Sequence, residues 1–159
     1  MYKSEKITEP PCNCSNATKP CPLNGHCLAK NIVYKATVQF EGFHKKSYVG
    51  STGLPFKSRY NNHTRSFRYE GYGNDTALSR YVWEMKNKIK KQPQFKWKII
   101  KRAPTYTTGE RFCRLCMEEK LSISVNKGVH SLNKRTEILN MCSHKTGCLL
   151  YQVPTSGVT

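Results

Sequence analysis

Hydrophobic positions along this chain change period several times, and each change marks an element. From Asn31 to Phe40 (NIVYKATVQF) apolar and polar residues alternate as they do on a strand, where successive side chains point to opposite faces. Gly42 supplies a turn and KKSYVG (45–50) returns as a second strand, which predicts a β-hairpin. STGLP breaks the alternation, and Pro55 suits the first turn of a helix, where its missing amide costs nothing. In that helix Phe56, Arg59, Tyr60, His63 and Phe67 fall on one face at i, i+3, i+4, i+7 and i+11. Gly71 and Gly73 mark a loop. Asn74, Asp75 and Thr76 then offer caps for a second helix with the stripe Leu78, Val82, Met85 and Ile89. Pro93 closes that region, and FKWKII (95–100) reads as a third strand. Pro104 and Gly109 bracket a loop before a helix from about Arg111 to Val125. After Gly128 a short link leads to a last helix around Lys134–Met141. The order β-β-α-α-β-α-α predicts a mixed α/β fold, a small three-stranded, mainly antiparallel sheet flanked by helices.

Two segments lack any hydrophobic period. Residues 1–29 are rich in Pro, Cys and Asn and cannot build a core unaided. They contain Cys12, Cys14, Cys21 and Cys27, spaced C-x-C-x6-C-x5-C, and four thiolates on Zn²⁺ would give this stretch a reason to fold. Two disulfides are the competing reading. A second set, Cys113-x-x-Cys116 with Cys142-x-His144, offers three sulfurs and an imidazole, leaving Cys148 as a spare. The tail from Tyr151 has nothing to pack and is expected to be disordered. The organisation is thus a cysteine-rich zinc-binding linker (1–29), one domain (30–150) and a tail (151–159).

Charge changes the picture further. The 159 residues hold 27 Lys and Arg against 10 Asp and Glu, a net +17. Residues 30–102 alone carry +13, from seventeen basic and four acidic side chains, interleaved with aromatics such as Tyr34, Tyr48, Tyr60, Trp83 and Trp97. A field of this sign concentrates phosphates, so a nucleic acid is the expected partner of this basic block. The apolar runs are too short to span a bilayer, so no membrane partner is expected. MYKSEKITEPPC has no apolar signal-peptide core. An intracellular, reducing compartment is therefore expected, which favours zinc over disulfides.

On two helices polar side chains stand where apolar ones belong. Arg59 and His63 share their helix face with three aromatics, and an amphipathic helix normally keeps Arg off that stripe. Glu119 lies on the face of Leu115, Cys116 and Ile123, whereas Glu118 sits near Arg114 and Ser122. A carboxylate there is costly unless it is paired or binds a cation.

These residues fall into a known series. Ile32-Val33-Tyr34 followed by Tyr48-Val49-Gly50 on adjacent strands resembles the paired signature of GIY-YIG nucleases, with Ile32 in place of the first glycine. Ser51 follows directly, then Arg59 and His63 on the next helix, then Glu119, then Leu132-Asn133, in the family's order. CNC…CPLNGHC, TALSRYVWEMK, CRLCMEEKLSI and LNKRTEILNMCSH further resemble the endonuclease region of Penelope-like retroelements, over roughly residues 12–146. The chain has no room for a reverse transcriptase, so it reads as the endonuclease part alone.

The resemblance implies a metal-dependent DNA endonuclease, acting in the nucleus. It would nick target DNA and leave a 3′-hydroxyl for a reverse transcriptase domain of the same element. Glu119 would hold Mg²⁺ or Mn²⁺ and Arg59 the scissile phosphate. Tyr34 or Tyr48, with Tyr34 preferred, would orient or deprotonate the water, its pKa of about 10 lowered by nearby cations. His63 would contact the phosphate or assist proton transfer, and Asn133 would hold the site together. One or two structural Zn²⁺ ions would complete the protein. The alternative is a catalytically inactive, zinc-stabilised nucleic-acid-binding module.

Overall fold

In the computed structural model the described residues are 9–14, 18–105, 107, 109–142 and 144. The expectations for Cys148 and for a disordered tail lie outside them. Three strands form one antiparallel sheet: β1 (Ile32–Gln39), β2 (Lys46–Thr52) and β3 (Gln94–Arg102), in the order β2-β1-β3. Three helices join them: α1 (Phe56–Arg68), α2 (Ala77–Ile89) and α3 (Arg114–Val125). The mixed α/β fold with a three-stranded sheet is as expected, and both strand pairings are antiparallel.

Because β1 is central, alternate residues feed two separate cores. Ile32, Tyr34, Ala36 and Val38 pack with Phe56 and Phe67 of α1 and Leu78, Val82 and Met85 of α2. Val33, with Val49 of β2, packs instead with Leu115, Cys116 and Ile123 of α3. Helices α1 and α3 therefore cover opposite faces of the sheet. Ile32, which stands at the first glycine position of the expected motif, is fully buried on β1 opposite Thr52, as a β-branched residue on a strand can be.

Helix α2 starts at Thr76, whose hydroxyl accepts from the Ser79 amide while the Ser79 hydroxyl accepts from the Thr76 amide, each at 3.0 Å. This reciprocal cap selects Thr76 over Asn74 and Asp75. Helix α1 has no side-chain cap at Pro55. Its first amides are satisfied from the N-terminal segment: Phe56 N donates to Ala29 O at 2.9 Å and Lys57 N to Cys27 O at 2.7 Å. Leu23, Cys27 and Ala29 of that segment are buried in the same core as β1.

Two expected elements differ. The helix expected from Arg111 begins at Arg114, after Cys113 in extended backbone. The last helix is a five-residue 3-10 turn, Arg135–Leu139. Leu139 and Met141 are exposed, so no apolar stripe is buried to sustain a longer helix. The link before it runs along the outer edge of β2. Ser47 N donates to His130 O and Leu132 N to Ser47 O, both at 2.8 Å, forming a parallel bridge between Ser47 and Ser131. On the other outer strand, β3, Phe95, Trp97 and Ile99 turn toward the core while Lys96, Lys98 and Lys101 point to solvent. None of the described helices is long and apolar enough to cross a membrane.

Candidate functional site

A cavity of about 1200 Å³ opens where the end of β2 meets α1, α3 and the 3-10 turn. Its wall includes Tyr48 and Ser51 from β2, Arg59 from α1, and Glu119 and Lys120 from α3. Lys134 and Glu137 come from the 3-10 turn and its approach, and Arg80 from α2. Residues far apart in sequence thus share one concave surface with four basic groups on it. Two of these, Lys120 and Lys134, lie outside the 30–102 block in which the basic face was expected.

Behind the wall sits a buried polar chain. Tyr34 is fully buried, its hydroxyl 2.8 Å from His63 Nε2 and 3.2 Å from Arg59 Nε. The guanidinium can only donate, so the phenol accepts from Arg59, and with the His63 proton on Nδ1 it gives its own proton to Nε2. Burial, reinforced by the charge of Arg59, lowers the His63 pKa to about 3, so the imidazole is neutral. Burial also raises both tyrosine pKa values, against the pull of Arg59. At both phenols desolvation outweighs the guanidinium.

The two tyrosines therefore have different places. Tyr48 faces the cavity, while the preferred Tyr34 lies behind it, in contact with Arg59 and His63. His63, 2% exposed, lies among the buried residues behind the cavity wall, against the Tyr34 hydroxyl. Tyr34 also explains Gly50, its partner across the ladder. A Cβ at position 50 would lie 2.5 Å from the Tyr34 hydroxyl and 2.7 Å from its Cζ.

Asn133 acts as a clamp on β2. Its Oδ1 accepts from Val49 N and its Nδ2 donates to Val49 O, each at 2.8 Å. The same Nδ2 donates to Glu137 at 2.7 Å, which shares the cavity wall with the carboxylates of Glu119 and Asp75. Sequence reading missed Glu137; its signal was the i+4 spacing from Asn133. Glu119 has its pKa raised by burial and by Glu137, against a Ser51 hydrogen bond and the charges of Arg59 and Lys120. A desolvated carboxylate beside another one is suited to a hard divalent cation.

The cysteines assemble into the two expected groups. The ligand atoms of Cys12, Cys14, Cys21 and Cys27 lie within 4.8 Å of one another, as do those of Cys113, Cys116, Cys142 and His144. Cys27 Sγ is 3.4 Å from Cys12 Sγ and 3.7 Å from Cys14 Sγ. Tetrahedral zinc with bonds of about 2.3 Å separates two sulfurs by roughly 3.8 Å, whereas a disulfide needs about 2.05 Å. The seven described cysteines are free thiols. In the second group His144 Nδ1 is 2.9 Å from Cys116 Sγ and 3.6 Å from those of Cys113 and Cys142. Burial and the neighbouring sulfurs raise the Cys116 pKa, a crowding that a bound cation would relieve. Both groups could hold structural zinc.

Each group braces one side of the cavity. The first supplies, through Cys27, the carbonyl that accepts from Lys57 N in the first turn of α1, two residues before Arg59, which donates to Tyr34. The second closes on Cys116, one turn before Glu119. Comparison of the chain with protein-family models, curated proteins and solved structures finds no match.

Proposed function

We propose that this chain is a metal-dependent DNA endonuclease of GIY-YIG type, similar to the endonuclease part of Penelope-like retroelements. One observation supports the reading above others. Tyr48, Arg59 and Glu119, three residues of the family's series, share the wall of a single basic cavity, with Tyr34 and His63 directly behind. A sheet-packing role for the tyrosines would not require a glycine, an arginine and a buried histidine to converge on one phenol.

The chemistry follows from the side chains. Arg59 is held by Tyr34 through Nε and also interacts with Tyr48, and its remaining N–H groups would bind oxygens of the scissile phosphate. Tyr48 orients the attacking water from the cavity wall. Tyr34, kept protonated by burial, fixes Arg59 and passes its hydrogen bond to neutral His63. Glu119, with Glu137 nearby, would hold Mg²⁺ or Mn²⁺, which when bound neutralises charge on the phosphate and stabilises the leaving oxygen. Arg80, Lys120 and Lys134 track the adjoining backbone. The product is a nick with a 3′-hydroxyl, which a reverse transcriptase of the same element would extend.

The test is nicking of supercoiled plasmid in Mg²⁺ by the zinc-loaded chain, beside Glu119→Gln and Arg59→Ala. The parent should nick, and each variant should lose at least about a hundredfold in rate while still binding DNA. Binding should weaken roughly a thousandfold between 50 and 200 mM salt if about six phosphates are contacted. A folded, zinc-loaded parent that binds DNA but leaves plasmid intact in both Mg²⁺ and Mn²⁺ would establish the inactive binding module instead.

A further inference from the structure

One side chain connects the second cysteine group to the Glu119 carboxylate. His144 turns Nδ1 toward three sulfurs, which leaves Nε2 on the far side of the ring, 3.3 Å from Ser51 Oγ. Ser51 faces Glu119 across the cavity wall, and its hydroxyl pulls the Glu119 pKa down against burial, as a donor to a carboxylate does. Its backbone is set by the ladder, where it pairs with Val33 at the core of the sheet. Ser51 and Glu119 both stand on the cavity wall.

The direction of these bonds follows from proton counting. A serine hydroxyl has one proton to give and lone pairs to accept with, and an ionised carboxylate only accepts. Ser51 therefore gives its proton to Glu119 and must accept from His144. That requires His144 to carry its proton on Nε2 and a lone pair on Nδ1. The same tautomer is demanded when Nδ1 joins three sulfurs around a metal, since coordination uses that lone pair. With the proton on Nδ1 instead, Nε2 becomes an acceptor and competes with Glu119 for the single Ser51 proton.

We propose that Ser51 is a positioning residue through which the Cys113, Cys116, Cys142 and His144 metal site orients Glu119. His144, ligating through Nδ1, donates from Nε2 to Ser51, and Ser51 holds the carboxylate in the geometry that receives a divalent cation. The cation-binding role of Glu119 belongs to the proposed function, and the inference rests on it. The Ser51 bridge itself rests on the His144 contact and on the wall that Ser51 shares with Glu119.

The experiment uses the full zinc-loaded chain with ¹⁵N-labelled histidine, without DNA. Histidine NMR should show His144 bound through Nδ1 with a slowly exchanging Nε2 proton. Ser51→Ala should speed that exchange while zinc content stays at that of the parent. Mn²⁺ binding, read from the free-ion EPR signal, should weaken about tenfold in Ser51→Ala, as loss of an outer hydrogen-bond partner does. Ser51→Thr, which keeps the hydroxyl, should restore both readings. Coordination through Nε2, or Ser51→Ala matching the parent in proton exchange, overturns the proposal. So does an unchanged Mn²⁺ affinity in Ser51→Ala when Glu119→Gln abolishes binding. A parent that binds no Mn²⁺ removes the cation role of Glu119, and with it the purpose assigned to Ser51, while the NMR result separately decides the bridge.

Discussion

Replacing Gly50 by Ala is a one-methyl change whose effect should reach the centre of the protein. The added Cβ would fall 2.5 Å from the Tyr34 hydroxyl, 2.7 Å from its Cζ and 3.1 Å from Tyr48 Cε1. All three are well inside ordinary contact, so something must move. Tyr34 has little freedom: it is fully buried, edge-on to Phe56 with ring centres 5.1 Å apart, and tied to His63 and Arg59. Overpacking of this kind costs about 1–3 kcal/mol, and weakening the two hydrogen bonds adds about 1–2 kcal/mol. Reduced freedom of the unfolded chain returns up to about 1 kcal/mol. The net expectation is a loss of about 1–5 kcal/mol, centred near 3. Urea unfolding of zinc-loaded protein, followed by tryptophan fluorescence, measures it. Gly71→Ala, where a Cβ meets nothing within 4 Å, is the control and should stay within about 0.5 kcal/mol of the parent. Tyr34→Phe on the Gly50→Ala background removes the nearest atom, so the two changes should couple by at least about 1 kcal/mol. A Gly50→Ala protein as stable as the control, with no coupling to position 34, would refute the packing argument.

Three other outcomes are expected. The His63 ring should show no NMR titration from pH 8 down to 5, because its pKa sits near 3. Since the unfolded chain takes up that proton below about pH 6.5, stability is full above this value and falls by about 2 kcal/mol on acidification to pH 5. Comparison with His63→Gln isolates this increment. Asn133→Ala removes both bonds to Val49 and the one to Glu137, and should cost about 2–3 kcal/mol in urea unfolding; a loss below about 0.5 kcal/mol would show that the 130–133 link holds β2 without it. Elemental analysis should find two zinc ions per chain, and their removal by chelator should lower helical circular dichroism, since Cys27 caps α1 and Cys113 and Cys116 begin α3. Unchanged dichroism after complete removal would separate the cysteine groups from helix stability.

Where the chain repeats a simple period, its structure was legible. The β1 and β2 alternation, the α1 and α2 stripes and the aromatic face of β3 each follow from burial on one side. The region after Gly128 was not, because its order comes from the edge of β2 rather than from a stripe of its own. Asn133 and the His130–Leu132 backbone are held by strand hydrogen bonds that no local pattern announces. Within the site, spacing placed Arg59 and Glu119 on inward faces. It could not separate Tyr34 from Tyr48, because both point to the same side of the sheet and differ only in depth. The depth of His63 was hidden for the same reason, since one turn along α1 separates the cavity wall from the core. The cysteine groups were legible as pairs, but their closure across a long gap is a property of the fold.

The outer margin of β3 carries a consequence for how copies of this chain meet. Among the described residues nothing pairs with that side of the strand, so it offers free amides and carbonyls to any passing strand. Lys96, Lys98 and Lys101 stand along it. A second copy docking there would bring two rows of ammonium groups within the roughly 4.8 Å that separates neighbouring strands. That repulsion would disfavour edge-to-edge pairing of two copies. The same lysines remain attractive to a polyanion, so the feature that disfavours contact between copies would let a long phosphate backbone gather them.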